Sequence, residues 1–352
     1  MKITAGHLGA LAFAIQTSFQ DLGIEMVLPP LSNILTQELG EKNLKSDLCY
    51  PLKLYLGNYL TQKDLKPEIV IFYNGCDLCN LTPADKVFLD IFAEHSWHPK
   101  AYYFNVTDKK EFIKDYYCNL KKISEASPLK VVKAIILGYK KFLLFENLDN
   151  VFYTIRPTIS DNYKGEEIYS GLFKKITNAA SFSSYEKIKR EINDLLKSYP
   201  PDYNAPHIGL IGDPFSLNEP YIHQYTDRKL GYLGCITDRW MNNKLIKKKD
   251  SGKIKLKKYL KNEYGVLMPR EIKKAGHYAG KSYDGLVFIS PFTCNPSDAL
   301  RNQLSYIQTK TGIPVVSLVF DSHTSTTGLE TRLEAFVDLV KIRRNRAANQ
   351  AF

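Results

Sequence analysis

Six cysteines occur in the 352-residue chain, and four of them stand where a thiol can do chemistry. Cys76 and Cys79 form a Cys-x-x-Cys pair inside Tyr73-Asn74-Gly75-Cys76-Asp77-Leu78-Cys79. Cys294 lies in Pro291-Phe292-Thr293-Cys294-Asn295-Pro296, and Cys49 comes just before Pro51. A lone Cys-x-x-Cys serves thioredoxin-like redox sites, zinc sites and iron–sulfur sites alike. A thioredoxin-like site has no need of Cys49 or Cys294. Structural zinc usually takes two local cysteine pairs. One pair with two distant single cysteines suits a cluster held in a cleft better, yet spacing alone leaves iron–sulfur, zinc and ordinary thiols open. Cys118, in an amphipathic helical stretch, and Cys235, after a helix-like one, read as plain core or surface thiols.

Such residues need elements to position them. Apolar runs of strand length alternate with amphipathic helical stretches, the pattern of a parallel α/β sheet. Strands are predicted near Met1–Ala5, Glu25–Leu28, Glu68–Tyr73 and Ala101–Asn105, with helices near Ala10–Leu22, Pro51–Gln62 and Pro83–His95. The pattern returns with strands at His207–Ile211, Gly285–Ser290 and Pro314–Phe320 and helices at Ser297–Thr311 and Leu329–Arg343. Between them, Lys109–Ser198 reads as mostly helical, and Pro200-Pro201-Asp202 marks a boundary. The expected architecture is α/β: two doubly wound parallel-sheet domains, 1–108 and 204–352, joined by a helical segment, 109–203. Such sheets place their chemistry at the carboxyl ends of strands, beside the topological switch point. Cys76 and Cys294 each directly follow a predicted strand. Pro51 suits the first position of a helix, which would put Cys49 at a helix N-terminus, where the macrodipole favours a thiolate or an anionic cluster.

Composition narrows the function classes. Aromatics at 12% and charged residues at 24% exclude a disordered chain, and six cysteines are too few for a small disulfide scaffold. No apolar run reaches the ~18 residues that span a bilayer, so no membrane association is expected. Leu8–Ile15 superficially suggests a secretory signal, but a strand–turn–helix opening explains it better, and a cytoplasmic location is expected. The net charge of +11 is concentrated: Lys244–Lys261 holds nine Lys and one Asp, and the tail Lys341–Arg346 adds four basic residues. The main block contains Tyr259 as its one aromatic, which argues against nucleic acid and leaves a solvated face or a docking surface for an acidic or phosphate-bearing partner. Gly209-x-x-Gly212 lacks the full dinucleotide fingerprint, and no phosphate-binding Gly-x-x-x-x-Gly-Lys-Ser/Thr loop occurs. His323 is a candidate acid–base group or ligand. Arg332, between Glu330 and Glu334, is a candidate anion clamp or a member of an ion pair.

Several segments together resemble one known family, the activase-associated branch of the 2-hydroxyacyl-CoA dehydratase and benzoyl-CoA reductase superfamily. They are Leu22-Gly23-Ile24-Glu25 with Leu28-Pro29-Pro30; Cys49-Tyr50-Pro51-Leu52-Lys53 with Leu56-Gly57-Asn58; Gly75-Cys76 with Cys79; and Pro291-Phe292-Thr293-Cys294, leading into Thr331-Arg332-Leu333-Glu334-Ala335-Phe336-Val337-Asp338. A looser match is Gly209-Leu210-Ile211-Gly212-Asp213-Pro214 running to Asp227-Arg228-Lys229-Leu230.

The resemblance implies two Rossmann- or flavodoxin-like domains and an oxygen-sensitive [4Fe-4S] cluster, or in a related group a double-cubane [8Fe-9S] cluster. It carries the ligand role onto Cys49, Cys76, Cys79 and Cys294. It further implies a separate actin/Hsp70-like ATPase that delivers low-potential electrons, an acyl-CoA or small-molecule substrate that receives them, and, by analogy, a homodimer. The family's Gly-Cys-Gly-Pro-Cys reads Gly75-Cys76-Asp77-Leu78-Cys79 here, and its Gly-Glu-Ala-Gly reads Ser325-Thr326-Thr327-Gly328. The cysteine frame is kept while its surroundings differ. A non-catalytic electron relay and a zinc-stabilised binding protein are the alternative readings.

Overall fold

The computed structural model describes residues 1–74, 79, 84–106, 108–239, 267–280 and 283–349. In the first third of the chain, strand β1 (Lys2–Ala5) leads through helix α1 (Ala10–Asp21) to β2 (Glu25–Val27). Two helices, α2 (Ile34–Asn43) and α3 (Tyr50–Leu60), carry the chain to β3 (Ile69–Asn74), and α4 (Ala84–Glu94) carries it to β4 (Lys100–Asn105). All four strands are parallel in the order β2-β1-β3-β4, with Ile3 opposite both Met26 and Ile69. The winding reverses between β1 and β3. That reversal, with right-handed crossovers, covers both faces of the sheet with helices, which explains why β3 reads Ile-Val-Ile-Phe-Tyr without alternation.

The second sheet repeats the plan. Strand β5 (His207–Gly212) is followed by the short α9 (Pro214–Asn218), α10 (Thr226–Tyr232) and β6 (Ile236–Asp238). Helix α11 (Leu267–Ala279) precedes β7 (Gly285–Pro291), then α12 (Asn295–Thr311), β8 (Val315–Phe320) and α13 (Thr326–Asn349). The order is β6-β5-β7-β8, again all parallel. Ile211, Ile236, Ile272, Tyr278, Phe288 and Leu304 are among the buried side chains of its core. The stretch between the sheets is helical: α5 (Lys109–Ser124), α6 (Pro128–Ile155), α7 (Asn162–Asn178) and α8 (Phe182–Ser198). The fold is therefore α/β with two doubly wound parallel sheets. Its compact units are Met1–Phe145 with Ile176–Glu186, and Glu146–Lys175 with Lys187–Phe352, so the division falls inside α6, α7 and α8. Lys244–Lys261 lies outside the described residues.

The closest helix pairing in the first unit is α2 against α3. A methyl group on Gly57 would lie 1.7 Å from the Thr36 carbonyl oxygen, and one on Gly40 would lie 1.9 Å from that of Lys53. The two backbones touch, and nothing flexible stands between them to yield. Asn33 caps α2 by accepting from the Leu35 and Thr36 amides, with Thr36 closing a capping box. The Tyr50 hydroxyl reaches across to Gln37 at 2.8 Å. Gly57→Ala should therefore lower the unfolding free energy by about 3 kcal/mol, the upper part of the overpacking range. Gly171→Ala, on the open surface of α7 with nothing within 4 Å, should raise it by about 0.5–1 kcal/mol. Urea denaturation of the two variants checks both signs.

Candidate functional site

In the first unit, β1 ends at Ala5 and the chain passes through Gly6 to His7 at the carboxyl edge of the sheet. The Nε2 of His7 lies 2.8 and 3.0 Å from the carbonyl oxygens of Pro29 and Pro30. Two acceptors at one nitrogen require the proton there, so the ring ties the segment after β2 to the end of β1. Burial lowers its pKa, against the pull of the two carbonyls, and keeps the imidazole neutral. Gly6 exists to admit the Tyr55 ring, which would stand 2.1 Å from a methyl group on that residue.

Tyr55 begins a chain of phenols at this edge. Its hydroxyl accepts from the Tyr73 amide at 3.2 Å and meets that of Tyr59 at 2.9 Å, while Tyr59 donates to the Ile71 carbonyl at 2.5 Å. Burial pushes Tyr55, Tyr59 and Tyr73 well above the usual phenol range, so all three hold their protons. The hydroxyl of Tyr73 and the amide oxygen of Asn74 are buried at the exit of β3 with no hydrogen-bond partner among the described residues. An orphaned buried polar atom is costly, so the Tyr73 donor and the Asn74 acceptor each mark the exit of β3 as a place where a polar partner would be accommodated.

Three of the four cysteines predicted from sequence lie among the described residues. Cys49 is the N-cap of α3, buried, with an extended backbone and no side-chain capping bond. Pro51 occupies the second helical position, one later than its residue type predicts, because Tyr50 already belongs to the helix. Cys79 follows β3 and is partly exposed, and Cys76 lies outside the described residues. In the second unit Cys294 is the N-cap of α12, three residues past the end of β7. Thr293 before it is forced to φ +62°, the left-handed region that a β-branched residue avoids. The structure thus places Cys49 and Cys79 in one unit and Cys294 in the other. Among the described residues, no group of three or more His, Cys, Asp or Glu side chains is arranged to hold a metal ion. Cys118 is exposed on α5, and Cys235 is buried, its thiol pushed up to about 12 by desolvation.

The second unit carries charge at its strand exits where the first carries phenols. Asp213, straight after β5, caps α9 by accepting from the Phe215 and Ser216 amides at 3.0 Å. Its carboxyl is raised, first by burial and further by the nearby Glu271 carboxylate, against the capping bonds. Glu271 accepts from the Gly212 amide at 3.3 Å and from Lys274 at 3.1 Å, and Lys274 is lowered by burial. Beyond β6, Arg239 reaches Glu146 at 3.1 Å, Asp149 at 3.0 Å and the Leu217 carbonyl at 3.1 Å. Arg156 and Arg228 share Glu166, and Tyr169 donates to Asp149 at 2.7 Å. Asp227 lies among these groups. Burial pulls its pKa up, but His223 and the three arginines together outweigh that and hold it low. His323 is exposed on the turn after β8, where its amide donates to Asp321. Arg332 donates to the Ser317 carbonyl at 2.6 Å, and Glu330 pairs with Lys229, so both serve local structure.

Sequence reasoning gave no role to His7, Tyr73, Glu271, His223 or Arg239. The one available signal was position, since His7 and Arg239 each come one or two residues after a strand. No family model matches the chain, and no curated protein matches it.

His223 gives this region a pH dependence. The Thr226 amide donates to its Nδ1 at 3.1 Å, and burial lowers its pKa to about 4, with Asp227, 3.9 Å away, pulling the other way. Unfolding releases the ring to its ordinary value near 6.5, so the unfolded chain takes up a proton between pH 6.5 and 4. Stability present above pH 6.5 is lost as pH falls through that window. In urea titrations at pH 7 and 4.5, His223→Asn, whose amide oxygen can still accept from Thr226, should lose about 2 kcal/mol less than the parent. An equal loss in both would remove His223 as the cause.

Proposed function

We propose that this chain is an iron–sulfur redox protein in which Cys49, Cys76, Cys79 and Cys294 hold a [4Fe-4S] cluster. In this reading it takes ATP-driven, low-potential electrons from a separate actin/Hsp70-like ATPase and passes them to an acyl-CoA or a small molecule. A double-cubane [8Fe-9S] cluster is the alternative nuclearity, and the cytoplasm is the compartment that suits a cluster sensitive to oxygen. Among the described residues no helix is long and apolar enough to cross a membrane.

The observation that carries the reading is the placement of the cysteines. Cys49 and Cys294 both begin helices, and Cys79 follows a strand of a parallel sheet, at the edge where doubly wound folds do their chemistry. Helix N-termini favour thiolates, the form that binds iron. The unmet Tyr73 hydroxyl and Asn74 amide oxygen add polar capacity at the exit of β3. When bound, the cluster would supply one-electron chemistry at a potential set by its net charge, its burial and hydrogen bonds to its sulfurs. The chain's own part is narrower. Tyr55, Tyr59 and Tyr73 keep their protons at any working pH, and neutral His7 adds no charge to the edge. Of these groups the Tyr73 hydroxyl alone is left without a partner among the described residues, so the exit of β3 offers a donor rather than a base.

The test is iron and acid-labile sulfide on anaerobically purified protein, with absorption spectra before and after air. About four of each per chain, with a brown band that bleaches in air, is the expected result, and about eight irons would indicate the double cubane. Cys76→Ser and Cys294→Ser should each reduce the iron content, whereas Cys118→Ser on exposed α5 should leave it unchanged. The absence of both iron and sulfide after reconstitution would defeat the proposal. Stoichiometric zinc in a colourless protein would replace it with the zinc-stabilised binding protein. A cluster whose electron paramagnetic resonance spectrum ignores added acyl-CoA would favour the relay.

A further inference from the structure

The first half of α6 presents two faces of opposite character. Its inner face is locked onto α1. A methyl group on Gly138 would stand 2.4 Å from the Ala14 carbonyl oxygen, Ser18 donates to the Ala134 carbonyl at 2.8 Å, and Tyr116 donates to Ser18 at 2.7 Å. Lys141 is turned inward to the Thr177 carbonyl at 2.7 Å. The outer face carries Leu129, Val132, Ile136, Tyr139 and Leu143, which are 42 to 84% exposed. Their spacing is three, four, three and four residues, the repeat with which one helix receives the side chains of another. The seam runs about 21 Å along a helix that cannot roll away from solvent.

Its charge narrows what can cover it. Lys130, Lys133 and Lys140 are exposed around the seam, and residues 126–145 contain no Asp or Glu. A second copy fits poorly: antiparallel pairing would set Lys133 and Lys140 against their counterparts, and parallel pairing would leave every lysine without an acidic partner. Half-buried Ile135 and Phe142 border the seam on the side away from Lys133 and Lys140, so its charge runs along one flank, as it does at the edge of a helix pair.

We infer that the Leu129–Leu143 face of α6 is a docking site for an acidic amphipathic helix of a partner protein, its apolar seam packed on this one and its carboxylates beside Lys133 and Lys140. The inference stands on α6 alone and does not depend on the cluster.

The probe is a labelled three-heptad peptide with Leu at its seam positions and Glu at the flanking ones, titrated with the full-length protein by fluorescence anisotropy. A second peptide carries Lys in place of Glu. The Glu peptide should bind saturably and at least tenfold more tightly than the Lys peptide, and more weakly in 0.5 M salt. The seam variant Ile136→Gln/Tyr139→Gln should weaken it at least tenfold. The charge variant Lys133→Glu/Lys140→Glu should reverse the preference between peptides. Unchanged circular-dichroism melts would show that these surface changes leave the fold intact. No saturable binding of the Glu peptide, equal binding of both peptides, or indifference to the seam variant would each overturn the inference. So would sedimentation with phosphatidylserine vesicles without peptide binding, or a dimer in light scattering that the seam variant dissociates.

Discussion

A parallel strand cannot be joined to its neighbour by a tight turn, because the chain must return the full length of the sheet before it can run alongside again. In this protein that requirement governs both sheets. Each has the order 2-1-3-4 in its own numbering, so each winds outward one way, reverses, and winds outward the other. Helices cover both faces, the central strands β3, β5 and β7 are buried almost throughout, and every strand ends at one edge while the following helix begins there. Residues between a strand end and a helix start are thereby concentrated without any contact between distant sequence segments having to be specified. Cys79, Asp213 and Cys294 all fall in such short connections, and Cys49 starts the helix that leads into β3.

The two units solve the same problem at those exits with different chemistry. Backbone and side-chain polar groups there are removed from water and must find partners. The first unit uses neutral donors and acceptors: the linked hydroxyls of Tyr55 and Tyr59, and the His7 ring shared between two carbonyls. The second uses ions, and single buried ion pairs are poor investments because desolvation offsets the attraction. Its answer is sharing. Glu166 serves both Arg156 and Arg228, and Arg239 serves both Glu146 and Asp149. Aromatic rings complete the surroundings, with the Arg228 guanidinium 4.6 Å from the centre of Tyr169 and 4.7 Å from that of Tyr225.

What the sequence discloses follows from which properties are local. The strands β3, β5, β7 and β8 are apolar runs bounded by polar residues, and their ends were legible to within a residue or two. Strand β6 is only Ile236–Asp238, too short to show a period, and exists because it pairs with β5. Helix α2 was missed because its weak apolar pattern hides its real supports, the Asn33 capping box and the bare backbone at Gly40. Helix α12 begins at Asn295, ahead of the expected Ser297, because Pro296 is tolerated in a first turn. The cysteines stood out because their type is rare and their spacing is visible. The buried charges did not, since an arginine such as Arg156 looks like any surface arginine until tertiary packing encloses it.

The shared ions of the second unit carry a consequence for heat. Water solvates charge less favourably as temperature rises, so the penalty for burying Arg156 and Arg239, and for partly burying Arg228 and the shared carboxylates, shrinks on warming. Hydrophobic stabilisation per unit area, by contrast, levels off. Glu166 on α7 ties Arg156, just past α6, to Arg228 on α10, and Arg239 past the end of β6 is tied to the second half of α6. These attachments therefore weaken less on heating than desolvation of isolated charges would suggest, in the range where apolar packing gains nothing further.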